Sequence, residues 1–295
     1  MPSLAHARYG KDNVRVCKVH RDEKAGTQSV TEMTVCCLLE GAIEHAFTEA
    51  DNSVIVATDS IKNTIYIKAK EHPVNPPELF ASIIGQHFLD TYSHISTAHV
   101  KVVVHRWTRM VIDGQPHAHS FFRDGQETRN VAVVVQRSGI AITSGIVGLT
   151  VLKSTGSAFH GFVRDDFTTL GETWDRILST DVDCSWTWKP FPGLHAVQQG
   201  AERFDLAWEA ARGITMKTFA TDDSASVQNT MYKMSEQILE AVPEAKKTSY
   251  SLPNKHYFEI DLSWHKGIKN AGVDAEVYAP QSDPNGFIKC EVVRD

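Results

Sequence analysis

No run of apolar residues in this chain approaches the ~20 needed to cross a bilayer as a helix; the longest, such as Val131 to Val135, are far shorter. A helical membrane span is excluded, and no membrane partner is expected. Cysteine is equally scarce. The five thiols, Cys17, Cys36, Cys37, Cys184 and Cys290, are odd in number and scattered without a CxxC pair, so neither a disulfide framework nor a thiolate zinc site is implied. They read as small apolar core residues. Basic charge is in deficit: Lys plus Arg number 30 against 36 Asp plus Glu, a net charge of -6. A nucleic-acid-coating role is therefore not expected, because it needs a basic surface to displace counterions from phosphates. Gly-rich phosphate loops of the GxxxxGK[ST] or GxGxxG type are missing, as is a GxSxG nucleophile turn. Residues 1–8 lack the apolar segment of a secretory signal, which points to a protein kept inside the cell.

What remains is ordinary globular material: 295 residues, 42% apolar and 22% charged, enough for two domains of ~150 residues with a sizeable core. Extended segments Asn13 to Val19 and Val30 to Leu39 flank a polar turn at Asp22 to Gly26, the pattern of a β-hairpin. Pro76-Pro77-Glu78 then opens a helix in which Phe80, Ile84 and Phe88 recur at i, i+4 and i+8. His99 to Trp107 alternates as a strand, and Val131 to Val135 and Gly139 to Ile142 continue the sheet. The second half repeats this order. Extended Leu149 to Lys153 and Val182 to Trp188 precede a helix from about Phe204 to Phe219, then another carrying Val227, Met231, Met234, Ile238 and Val242. A closing strand is expected where Phe258, Ile260, Leu262 and Trp264 alternate with Glu259, Asp261 and Ser263.

A short internal echo accompanies the repeat: Ser60-Ile61-Lys62-Asn63-Thr64-Ile65-Tyr66 reappears as Ser226-Val227-Gln228-Asn229-Thr230-Met231-Tyr232, four of seven positions being identical. The reading is two copies of one ββααβ-like unit, residues 1–140 and 141–295, in the α+β class: antiparallel sheet with paired helices on one face. Such a sheet leaves edges open unless another chain pairs with them, so oligomerisation is expected.

Three stretches carry candidate chemistry. His117-Ala118-His119, with His99 and His105 nearby, could offer two imidazoles to a metal, but no third ligand of fitting spacing is evident and surface histidines are the plainer reading. Ala57-Thr58-Asp59-Ser60 follows the apolar Val54-Ile55-Val56 and would serve as a helix N-cap or as a polar site. In Leu252-Pro253-Asn254-Lys255-His256-Tyr257, Asn254 and His256 fall at i and i+2 where a strand is expected to begin, hence on one face. Composition and periodicity alone name no reaction.

The run Leu149 to Phe162, including Ser154-Thr155-Gly156-Ser157-Ala158-Phe159-His160-Gly161, and continuing through Phe167, Leu170 and Arg176, resembles the signature of the urate oxidase (uricase) family. So do Tyr9-Gly10-Lys11, Ala57 to Asn63, Ser226-Val227-Gln228 and Asn254-Lys255-His256. The likeness extends over essentially the whole chain and is strongest to fungal members.

That resemblance implies conversion of urate, O₂ and water to 5-hydroxyisourate and H₂O₂ with no metal or organic cofactor. It implies the tunnelling fold, two units per chain, in a homotetramer whose sites join neighbouring subunits. Arg176 and Gln228 would grip the purine, Phe159 would stack on it, and the main-chain amides of Asp59 and Val227 would add hydrogen bonds. Asn254, with Thr58, would hold water or O₂, and Lys11, Thr58 and His256 would relay protons. Eukaryotic members commonly carry a Ser-Lys-Leu-type peroxisomal address, whereas this sequence stops at Val292-Val293-Arg294-Asp295, so a peroxisomal location is expected by resemblance and a cytoplasmic one otherwise. Two other readings stand beside this one: a metal-dependent purine or pterin hydrolase using His117 and His119, and a purine-binding protein without turnover.

Overall fold

A computed structural model describes residues 2–295. In chain order the elements are β1 (Tyr9–Asp22), β2 (Thr27–Gly41), α1 (Glu44–Thr48), α2 (Thr58–Glu71), α3 (Pro77–Thr91), β3 (Ile95–His105), β4 (Thr108–Ile112), β5 (Gln115–Phe122), β6 (Thr128–Gln136), β7 (Gly139–Lys153), β8 (Leu178–Trp188), α4 (Leu194–Gln199), α5 (Ala201–Thr221), α6 (Val227–Ala241), β9 (Ala245–Glu259) and β10 (Tyr278–Val293). Eight strands form one antiparallel sheet in the order β1-β2-β3-β6-β7-β8-β9-β10, and β4 and β5 make a separate hairpin. Setting that hairpin aside, strand-strand-three helices-strand-strand occurs twice, joined through the tight β6–β7 turn. The duplication lies in topology. It does not lie in the seven-residue echo, because one copy sits in α2, the middle helix of the first half, and the other begins α6, the last helix of the second.

Alternation explains the layering. Met33, Val35, Cys37 and Leu39 on β2, Val100 and Val102 on β3, and Val131, Val133 and Val135 on β6 are all buried at every second position, while intervening residues such as Lys101 stay exposed. This face meets the helices: Phe80, Ile84 and Phe88 of α3 are fully buried, and Pro77 occupies its first turn. Gly85 lets α3 approach closely, since a Cβ there would strike the side chain of Val135.

A buried polar network crosses between the halves. Glu78 of α3, fully inaccessible, accepts from Arg129 Nη2 of β6 at 2.7 Å and from Ser144 Oγ of β7 at 2.7 Å. Ser144 in turn accepts from Trp188 Nε1 of β8 at 2.9 Å, and Arg129 also reaches Asp205 of α5 at 2.5 Å. Every polar atom of the Glu78 carboxylate is thereby matched.

Three expectations are corrected. The closing strand lies earlier, at Ala245–Glu259, with Tyr250 and Leu252 buried; the clean alternation of Phe258 to Trp264 instead leaves the sheet, and Trp264 is 78% exposed. Periodicity reports a repeating pattern without reporting what covers it, and here Ile260 and Leu262 are only half-buried while Phe258 and Trp264 are exposed. The segments at Gly139 and Leu149 are one strand, interrupted by a register shift between Ile146 and Leu149. The strand expected to run to Trp107 stops at His105.

Candidate active site

Two groups of residues are built on the helix-bearing face of the sheet. The first is at its β1 edge. Lys11 pairs opposite Cys37, a buried helix-facing position, so the lysine shares that face. A register shift between Lys11 and Val14 follows immediately, with Asn13 at φ 56°, and re-aims the strand beside the lysine. Gly10 has no room for a side chain, because a Cβ would collide with the backbone oxygen of Cys37. The segment leading into α2 is tied to the same place: Val56 N–H donates to the hydroxyl of Tyr9 at 2.7 Å. Thr58 and Asp59 therefore stand next to Lys11.

The cap of α2 is Ala57, with no side-chain hydrogen bond, so the expected capping role of Thr58 and Asp59 is not what they do. They are the first two helical residues, whose N–H groups have no intrahelical acceptor and point out of the helix. The Asp59 carboxylate is engaged instead with Lys62 Nζ at 2.6 Å and Asn63 at 3.0 Å. Those bonds from Lys62, its charge, and in smaller measure the charge of Lys11 hold the Asp59 pKa below the ordinary carboxylate value.

The second group lies at the far side of the sheet. The loop before β8 is folded by its own backbone: Phe159 and Thr173 exchange N–H···O bonds at 2.8 and 2.9 Å, and Asp175 accepts from Thr155 Oγ1 at 2.7 Å and Gly156 N–H at 2.8 Å. The same loop is stitched to the start of α6, with Ala158 N–H donating to Ser224 O at 2.9 Å and Ser224 N–H to Gly156 O at 3.0 Å. Phe159, Arg176, Val227 and Gln228 are thus placed by one structure. Ser226 caps α6 by accepting from Asn229 N–H at 3.2 Å, leaving Val227 and Gln228 at the helix start with free N–H groups, as Thr58 and Asp59 are in α2.

Phe162 stacks on Phe159 at 4.8 Å and 10°, and the Arg176 guanidinium carbon lies over the Phe159 ring, 5.2 Å from its centroid. Arg176 has no anionic partner among the described residues, and its Nε is buried without an acceptor. Burial lowers its pKa from the usual value, although a guanidinium stays charged at neutral pH. Such a cation gains by receiving an anion.

Asn254 and His256 are in the body of β9 rather than at its beginning. They share the parity of the buried Tyr250 and Leu252, which puts both on the helix-bearing face. Asn254 stands opposite Thr180 of β8, whose buried hydroxyl lacks a partner, as does that of Ser157. On the other side β10 bulges between Gln281, opposite His256, and Gly286, opposite Asn254. Thr180, Ser157 and Asp175 had no sequence signal of their own; only the register and the loop's hydrogen bonds bring them forward.

The structure does not bring the two groups together in one chain. β1 and β9 are six strand positions apart, and at ~4.8 Å per strand this is ~29 Å. His117 and His119 take no part in either group: their rings meet edge to face at 4.7 Å on β5, His105 is bonded to Thr34 at 2.8 Å, and no cluster of three or more His, Cys, Asp or Glu fit for a metal occurs among the described residues.

Fold and site define an antiparallel α+β protein with two separate clusters of polar residues, each beside a helix N-terminus. Comparison with known proteins is specific. The uricase family model matches residues 7–134 and 142–289. The chain is 66% identical over 295 residues to the uricase of Aspergillus flavus, covering 100% of this chain and 98% of that one, and 48% identical to that of Cyberlindnera jadinii, covering 99% and 97%. The crystal structure of uricase from Arthrobacter globiformis superposes with a TM-score of 0.89 at 36% identity, covering 100% and 96%. The chain belongs to the uricase family, oxidoreductases that oxidise urate in purine catabolism.

Proposed function

We propose that the protein oxidises urate with O₂ and water to 5-hydroxyisourate and H₂O₂, without a cofactor, at sites each completed by a second copy of the chain within a homotetramer. The observation that carries this reading is the placement of Lys11 on β1, beside Thr58 of α2, six strand positions from Asn254 and His256 on β9, while Arg176 and Gln228 sit with the loop before β8 and the start of α6 at that far side of an open sheet. Both sheet edges, β1 and β10, are unpaired, so a neighbouring copy can bring the first group of one chain against the second group of another. Exposed Phe167, Trp174 and Trp264 add apolar surface for such packing. The repeated halves are read as residues 1–140 and 141–295.

In the joined site Arg176 and Gln228 hold the edge of the urate anion, with the forked guanidinium matching a planar acceptor pair. Phe159 supports the ring and excludes water. The N–H groups of Asp59 and Val227, at the starts of two helices, supply donors where their dipoles favour negative charge. Asn254, with Thr58, holds O₂ or water above the ring. Urate loses two electrons, O₂ gains them with two protons, and water adds the hydroxyl, so the equation balances without another redox partner. Lys11, Thr58 and His256 move the protons, with the hydroxyl passing them between substrate and base. Release of H₂O₂ suits a compartment that destroys peroxide, in keeping with a peroxisomal location. No helix among the described residues is long and apolar enough to cross a membrane.

Mixing two inactive variants tests the shared site. Lys11→Ala and Arg176→Ala proteins, dissociated together and reassembled, should recover about one quarter of wild-type activity, because random pairing gives that share of sites an intact lysine and arginine from different chains. No recovery from well-folded mixed oligomers overturns the shared site.

A further inference from the structure

The turn between α5 and α6 carries a chain of side-chain hydrogen bonds that leads to the substrate loop from behind. Asp222 closes α5, its N–H donating to Thr218 O at 2.9 Å. Its side chain is only 11% exposed. One carboxylate oxygen accepts from Lys233 Nζ at 2.6 Å and the other from Thr230 Oγ1 at 2.7 Å, both donors belonging to α6, while the Asp222 carbonyl accepts from Lys153 Nζ of β7 at 2.8 Å. Two helices and a strand thus meet at one residue. Burial opposes its ionisation, but the bonds from Lys233 and Thr230 and the charges of Lys233 and Lys153 outweigh that and hold its pKa below the ordinary carboxylate value.

Chemistry fixes the direction of the next bond. An ionised carboxylate only accepts, so the single proton of Thr230 goes to Asp222 at 2.7 Å rather than to the Ser226 carbonyl at 3.2 Å. Ser224 Oγ, 2.6 Å from Thr230 Oγ1 and buried with it, must then donate to Thr230. Ser224 is the residue whose main chain holds the substrate loop: its carbonyl accepts from Ala158 N–H at 2.9 Å and its N–H donates to Gly156 O at 3.0 Å, with Phe159 next in the chain. Thr230 stands one turn beyond Ser226, the cap of α6, with Val227 and Gln228 between them.

We propose that Asp222 is a positioning residue for urate binding: through Thr230 and Ser224 it sets the start of α6 against the Phe159 loop, and so the spacing of Val227 and Gln228 from Phe159 and Arg176. The inference rests on the reading that these four residues hold urate. A residue acting in this way governs affinity more than turnover, because Lys11, Thr58 and His256, which move the protons, stand on other elements.

A double-mutant cycle on the assembled enzyme tests this, with KM and kcat measured for urate and calorimetric affinity for xanthine as a planar purine probe. Asp222→Asn should raise KM and weaken xanthine about tenfold, with kcat held within about twofold. Thr230→Val should do the same, and Thr230→Ser, which keeps the hydroxyl, should stay near wild type. Asp222→Asn combined with Thr230→Val should be no worse than either alone, since both break one chain of bonds. An unchanged KM in Asp222→Asn, a fall confined to kcat, or additive losses in the double variant overturns the role of Asp222 alone. Wild-type protein that binds no xanthine and oxidises no urate overturns it together with the reading beneath it.

Discussion

The guanidinium of Arg176 rests 5.2 Å from the centre of the Phe159 ring, with its Nε buried and unmatched. The ring and the cation are preset against each other before any ligand arrives, so binding exchanges a cation–π contact for a charge-assisted pair with little new ordering. Replacing Arg176 by alanine removes that pair, at a cost of about 1.5–3 kcal/mol. The expected result is a fall in kcat/KM of ~10- to 100-fold, mainly through KM, read from the decay of urate absorbance. Lysine at 176 should recover only part of the loss, because a point charge does not reproduce the fork.

Lys11→Ala should behave differently. If the lysine accepts a proton, kcat falls by ~100-fold or more while KM changes much less. Steady-state kinetics on the assembled variant check this, and an unchanged kcat would remove Lys11 from the mechanism.

The loop that carries Phe159 is clamped by Asp175. Hydrogen bonds from Thr155 Oγ1 and then from the Gly156 N–H hold this carboxyl below its ordinary value of 3.8. A lowered folded pKa stabilises the loop above that ordinary value, and the contribution disappears as pH falls through the lower folded pKa. Wild-type protein should therefore keep its affinity for a non-reacting purine down to about pH 4 and lose it below. Asp175→Asn should weaken that affinity several-fold at neutral pH and flatten the acid limb, with kcat moving less than KM. A rise in KM with an unaltered acid limb would assign the residue a merely structural role.

Glu78 makes the largest stability prediction. Removing the carboxylate with Glu78→Ala leaves Arg129 with Asp205 as its one remaining anionic partner and Ser144 Oγ without its acceptor, and should cost about 3 kcal/mol, the low end for breaking a buried pair, seen as a lower thermal midpoint. Ser144→Ala deletes one neutral partner from the same network and should cost less, about 1–3 kcal/mol.

Much of this was legible in the letters. Alternation in Val131 to Val135 announced a strand because one of its faces is buried, and the four-residue spacing of Phe80, Ile84 and Phe88 announced a helix even though α3 is buried over most of its surface. Phe258 to Trp264 misled for the same reason: its alternation is genuine, but the run leaves β9 after Glu259, with Ile260 and Leu262 half-buried and Phe258 and Trp264 exposed. Lys11 and Arg176 come from family resemblance, not from pattern, whereas Asn254 and His256 stand out by their shared strand face. Thr180 and Ser157 were invisible because a lone hydroxyl has no period, and its meaning depends on which strand lies opposite. The six strand positions between β1 and β9 were equally hidden, since strand order is set by long-range pairing that local sequence does not encode.

The seam at Glu78 bears on the protein's ancestry. A chain assembled from two like pieces might be thought divisible at the Gln136–Gly139 turn, yet a carboxylate from the earlier piece is sealed by a hydroxyl from the later one. Parting the fragments would leave Glu78 its Arg129 partner but strip its other oxygen of the Ser144 hydroxyl and Arg129 of Asp205. Each piece thus lends the other a partner for a buried polar group.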